Sequence, residues 1–197
     1  MAQNLTSAEP GYRHRRREPI LPDAVLGMAF FIVAEAMLFS GFISGHVIVE
    51  ANAMGGWPPP GQPRLPVEST AFNTLFLLAS GALILYAGRR FAKDAVSARL
   101  PMMLGTGLGL LFVVLQGYEW QGLIREGLTL SSSSYGSFFY MIVGVHALHA
   151  VSAITWMVIL LIRLQRGVLT SETFQAGRML WYFVVLVWPL IYWQVYL

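Results

Sequence analysis

Five stretches, roughly 24–50, 69–91, 100–121, 136–163 and 174–197, are apolar and carry few charges. Each is at least about twenty residues, enough for a helix rising 1.5 Å per residue to cross a hydrocarbon core of ~30 Å. The first and fourth are longer, so tilt or extension beyond the bilayer is expected of them. The runs are continuously apolar and lack a period-two alternation, which excludes strands of a membrane barrel. Only 12% of the 197 residues are charged and 56% are hydrophobic, where an ordinary soluble domain has about 25% charged. The expected fold class is therefore all-α: an integral membrane bundle of five transmembrane helices spanning 24–197, preceded by a basic cytoplasmic tail at 1–23.

The charges that remain set the orientation. Arg13, Arg15, Arg16 and Arg17 lie in the tail, Arg89, Arg90, Lys93 and Arg99 between the second and third runs, and Arg163, Arg166 and Arg178 between the fourth and fifth. Eleven of the thirteen basic residues thus fall on one side, leaving Arg64 and Arg125 on the other. The positive-inside rule places the N-terminus inside and the C-terminus outside, as an odd number of spans requires. The formal charge of +3 is accounted for by these span ends, so nucleic acid is not expected as a partner. With no cysteine, disulfides, iron–sulfur clusters and thiolate zinc sites are excluded. No cleavable leader pattern opens the chain. The first outer loop, Trp57-Pro58-Pro59-Pro60-Gly61 followed by Pro63 and Pro66, is expected to run extended in polyproline II geometry. Ser131 to Ser134 read as a polar linker without assignable chemistry. No internal repeat is visible, which counts against an inverted-repeat transporter.

Inside the apolar runs a few residues stand out chemically. A carboxylate at bilayer depth costs roughly 2.5–3.5 kcal/mol on insertion scales, so Glu35 and Glu119 call for a buried partner or a function. Glu35 and His46 are eleven positions apart and share a face, about 16 Å apart along the axis. His146 and His149 are neighbours at i, i+3 on the fourth run, and Gln116 and Glu119 have the same spacing on the third. The simplest reading pairs Glu35 with a histidine of the fourth helix. That pair is either interhelical glue, for which about 0.6 kcal/mol is typical, or a proton or ligand site. Gln116 and Glu119, nearer the interface, point more strongly to glue. Bis-histidine haem ligation needs two histidines at matching depth on facing helices. His146 and His149 share one helix and His46 lies nearer the outer end, so no haem is expected. No Glu-x-x-His spacing for a dinuclear site occurs. Trp181, Tyr182, Trp188, Tyr192, Trp193 and Tyr196 read as interfacial anchors and packing residues. Gly105, Gly107 and Gly109 read as points of close helix approach.

Taken in order, several segments are similar to subunit III of the haem–copper respiratory oxidases, in its short five-helix form. These are Phe31-Ile32-Val33-Ala34-Glu35-Ala36-Met37-Leu38-Phe39 with Gly41-Phe42, then Trp57-Pro58-Pro59, then Asn73-Thr74 with Leu77-Leu78 and Ser80-Gly81. Gln116-Gly117-Tyr118-Glu119-Trp120 follows, and then Gly136-Ser137-Phe138-Phe139 leading to Gly144-Val145-His146-Ala147-Leu148-His149. The resemblance covers about residues 24–197. It implies a non-catalytic accessory subunit of an aerobic terminal oxidase, in a bacterial inner membrane. Haem and copper would be held by the partner catalytic subunit I and none by this chain, and other oxidase subunits and bound phospholipid would be further partners. It implies roles in proton uptake and oxygen access, and a contact of Glu35 with His149. His46, Trp57, Asn73, Gln116 and Glu119 are candidates for lipid or interface contacts. The family's last helix reads Trp-His-Phe-Val-Asp-Val-Val-Trp, whereas here Tyr182 and Val185 replace the His and Asp, and Ala147 replaces a glycine of His-Gly-Leu-His. These departures favour a divergent branch and keep open a partner of nitric oxide reductases. From other classes, a small proton-coupled carrier using Glu35 and Glu119 and a dihaem membrane cytochrome remain as rivals.

Overall fold

A computed structural model describes residues 22–197 and is all-helical over them. The tail residues Arg13, Arg15, Arg16 and Arg17 lie outside the described residues. Helices α1 (Asp23–Ala51), α2 (Val67–Phe91), α3 (Arg99–Arg125), α4 (Ser134–Gln165) and α5 (Ser171–Tyr196) are joined by short connections, with a 3-10 turn at Val96–Ala98 leading into α3. All five are long and apolar enough to cross a membrane.

α4 and α5 begin a few residues before their apolar runs, where polar residues cap them. Ser133 Oγ accepts from the Gly136 N–H at 3.0 Å, and Thr170 Oγ1 from the Thr173 N–H at 3.3 Å, each satisfying a first-turn donor that lacks a helical partner. The serine run thus has structural chemistry that its composition did not reveal. Ser132 closes a turn onto Thr129, and Ser137 Oγ donates to the Leu130 carbonyl at 2.6 Å.

The bundle is built around α5, which packs against α1, α2 and α4, while α3 packs between α2 and α4. Trp181 and Trp188 of α5 are completely buried and Tyr196 nearly so, leaving Trp193 as the exposed indole of that helix. Of the six aromatic residues read as anchors and packing residues, Trp181, Trp188 and Tyr196 are core. α1 is the opposite case: among the helices it packs chiefly on α4 and α5, and Phe30, Val33, Met37 and Ile48 face outward. An apolar surface on all sides suits a helix surrounded by lipid or by another membrane chain.

The close-approach glycines divide. A Cβ at Gly105 would stand 2.9 Å from Ile84, and one at Gly109 would meet the Trp181 ring and Ile154 within 2.7 Å. At Gly107 it would meet nothing within 4 Å. Residues 105 and 109 lie one turn apart on the inward face and residue 107 lies on the other side, which corrects the expectation for Gly107. The first outer loop also departs from expectation. Gly56 and Gly61 have φ of 87° and 85°, and the Trp57–Pro58 bond is cis. The loop turns back on the bundle, seating the Trp57 ring edge-on against His46 and Tyr135. The half-buried indole packs against the core there, and the loop does not keep to an extended path.

Candidate functional site

Two polar clusters lie within the bundle, each centred on one of the intramembrane glutamates. On α1, Glu35, Phe39 and His46 lie on the side turned toward α4, as their i, i+4, i+11 spacing allows. The Glu35 Oε2 atom is 3.0 Å from His149 Nε2, with both side chains less than a fifth exposed. The approach is oblique, and Oε2 makes no aligned hydrogen bond. The other ring nitrogen, Nδ1, is 2.8 Å from the Val145 carbonyl oxygen. A carbonyl can only accept, so Nδ1 carries a proton. Nε2 then faces Glu35 either as a lone pair opposite a carboxylic acid or as an N–H opposite a carboxylate. In either state the carboxyl group faces a complementary polar group across the helix interface. That removes the cost of an isolated charge at this depth.

Aromatic rings enclose the pair. Phe39 stands edge-on to His149 and His146 at centroid distances of 5.6 and 6.1 Å, and Phe183 of α5 lies 6.3 Å from His149. His146, one turn before His149, points elsewhere. It is 2% exposed, its ring lies 5.1 Å from that of Trp188, and its Nε2 has no hydrogen-bond partner. The i, i+3 spacing placed the two histidines on neighbouring positions, but the structure gives them separate surroundings.

The second cluster joins three helices at the opposite end from the main basic loops. Glu119 Oε2 accepts from Thr70 Oγ1 at 2.8 Å and from Gln116 Nε2 at 3.0 Å, and Oε1 accepts from Asn73 Nδ2 at 2.9 Å. Gln116 Nε2 also donates to the Tyr196 hydroxyl at 3.3 Å, and Trp120 Nε1 donates to it at 3.4 Å. Asn73, Gln116 and Glu119 are thus parts of one clamp that binds α2 and α3 to the end of α5. Thr70 and Tyr196 were missed from sequence. Thr70 could have been found from its i, i+3 spacing to Asn73, whereas nothing local links Tyr196 to residues 76 positions away. Nearby, Trp188 Nε1 donates to Thr74 Oγ1 at 2.9 Å and Tyr192 to the Val67 carbonyl at 3.1 Å.

His46 and Trp57 belong to neither cluster. His46 is 1% exposed between Trp57 and Phe138. Its nearest charge, Glu50, lies 3.9 Å away, beyond hydrogen-bond range. Among the described residues no three His, Cys, Asp or Glu side chains are grouped to hold a metal ion.

The family model described as cytochrome c oxidase subunit III matches residues 7–197. Cytochrome c oxidase subunit 3 of Mus musculus is 34% identical over 179 residues, covering 86% of this chain and 67% of the mouse protein. The Homo sapiens protein of the same name is 32% identical, covering 95% of this chain and 74% of its own length. With that match running across all five helices and both glutamate clusters, the chain belongs to the cytochrome c oxidase subunit III family.

Proposed function

We propose that this protein is a non-catalytic accessory subunit of a haem–copper terminal oxidase, multi-pass in a bacterial inner membrane, with its N-terminus inside. The observation that carries the reading is the family match over residues 7–197. Haem and copper belong, on this reading, to the partner catalytic subunit. The two intramembrane glutamates each have a neighbour within the chain: Glu119 has three donors and Glu35 has His149. Such a chain acts on electron transfer through its neighbour, by stabilising it and supporting its proton uptake and oxygen access.

The outward apolar face of α1 supports docking to other oxidase subunits, and a groove between α2 and α5 supports phospholipid binding. That groove, about 320 Å3, is lined by Leu78, Gly81, Leu85, Tyr182, Val185 and Leu186, an acyl-chain surface. Toward its basic end the Arg178 guanidinium lies over the Phe174 ring at 4.9 Å, suited to a phosphate headgroup. Tyr182 and Val185, which replace the family's His and Asp, form part of this wall, and Val185 packs against Gly81. Val185 thus presents apolar surface where the family's Asp is polar.

Mild-detergent affinity purification from the native membrane, with a reduced-minus-oxidised spectrum, tests the proposal. A haem–copper catalytic subunit should co-purify, while the separated chain should be colourless. Glu35→Ala should weaken that association or shorten enzyme lifetime in turnover without altering the haem spectrum. A chain that purifies alone, or haem that stays with it, would overturn the assignment.

A further inference from the structure

One face of α3 changes character along its length. Leu104, Leu111 and Val114 are exposed and apolar, and Tyr118, Gln121 and Arg125 continue the same face at helical spacing. The switch falls at Tyr118, an exposed residue of the type that sits at a membrane–water boundary. Surface suited to acyl chains gives way there to surface suited to headgroups.

Beside that boundary lies a pocket of about 190 Å3, between the first connection and the end of α3. Arg64 lines it from the connection and Arg125 from the helix end. Of the thirteen basic residues, these are the two that lie away from the basic connections and the tail, and both are exposed. Membrane orientation asks for no cations at this end, so their convergence on one pocket calls for an anion. Two carboxyl groups share the pocket. Glu119 has its oxygens taken by Thr70, Asn73 and Gln116. Glu126 is exposed, and among the described residues neither it nor the two guanidinium groups forms an ion pair. The pocket thus presents accessible, uncommitted charges of both signs.

We propose that this pocket binds a phosphoethanolamine group, carried by a lipid whose acyl chain lies along Val114 and Leu111. The phosphate accepts from Arg64 and Arg125, whose forked donors suit its oxygens, and the ammonium donates to the Glu126 carboxylate. A phosphocholine has no N–H to offer Glu126, and a phosphoglycerol has no cation. The site shares no residue with the groove between α2 and α5, and it stands on the geometry of this chain whatever complex the chain joins.

In the test, the full chain in mild detergent is titrated with phosphatidylethanolamine, phosphatidylcholine or phosphatidylglycerol of identical acyl chains. Native mass spectrometry reads the first lipid bound. Phosphatidylethanolamine should bind at least about fivefold tighter than either of the others. Arg64→Gln combined with Arg125→Gln should erase that preference, and Glu126→Gln should erase it against phosphatidylglycerol. Arg166→Gln, at the far end of the bundle, should leave it intact. Soluble glycerophosphoethanolamine should displace the lipid only in large excess, which assigns the site to a lipid. Displacement at equal concentration would uphold the site and assign it to the soluble ester. Equal binding of the three lipids overturns the proposal, as does a preference that survives the double arginine substitution or Glu126→Gln.

Discussion

At the scale of single residues, the two glutamates solve the same problem in different ways. Glu119 has each carboxyl oxygen engaged by donors, whereas Glu35 faces a single imidazole at 3.0 Å. Removing the Glu119 carboxyl leaves Asn73 and Gln116 with unmatched donors. Glu119→Ala should therefore cost about 1–3 kcal/mol and speed hydrogen exchange at the ends of α2 and α5, while exposed Glu126→Ala should do neither. For Glu35 and His149, a double-mutant cycle by detergent unfolding should give a coupling of about 0.5–2 kcal/mol. Zero coupling would reduce the 3.0 Å approach to mere proximity. The residue types of both clusters were legible in the sequence, because a carboxyl group inside an apolar run announces itself. Their partners were only partly so. Spacing along one helix found Gln116 for Glu119, and the resemblance named His149 for Glu35, but the residues alone left Glu35 a choice of two histidines, which the rotation of α4 against α1 and α5 resolves with His146 turned toward Trp188.

Among helices, packing follows the small residues and the aromatic rings that fill the space beside them. Gly109 sits under Trp181 and Ile154, so Gly109→Ala should destabilise the bundle by about 1–3 kcal/mol through overpacking. Gly107→Ala meets nothing, and should gain up to about 1 kcal/mol from helix propensity. The paired melting curves of the two variants test the inward and outward assignment of α3 directly. Gly177 makes the same kind of contact where α5 meets Leu160 and Trp156 of α4. Element positions were legible almost to their ends, since length and hydropathy define a membrane helix. The caps at Ser133 and Thr170 lay outside the apolar runs and extended α4 and α5 beyond them.

Over the whole molecule, the basic residues of two connections gather at one end. Arg99 of α3 reaches the Gln165 carbonyl at the end of α4 at 3.4 Å, and Arg178 of α5 lies against Gly88 near the end of α2. The basic residues of the two main loops therefore sit at one end of the bundle. The chain has no cysteine, so single introduced thiols report topology without background. In intact cells, Ser132→Cys should react with an impermeant maleimide and Lys93→Cys should react only after lysis. The reverse pattern would overturn the inside placement of the N-terminus.

From the sequence by itself came the membrane class, the number of spans, the expected orientation and the identities of the residues with chemistry to explain. These follow from the cost of placing charge and backbone in hydrocarbon, which acts on each segment separately. Tertiary structure decided which faces meet. It placed α5 at the centre and α1 at the edge, folded the proline loop back under Trp57, and joined Asn73 to Glu119. It also brought Arg64 and Arg125 to one pocket. These outcomes depend on side-chain shape across helices, because between apolar helices in lipid no hydrophobic difference selects a partner. Close packing and a few buried hydrogen bonds make the choice.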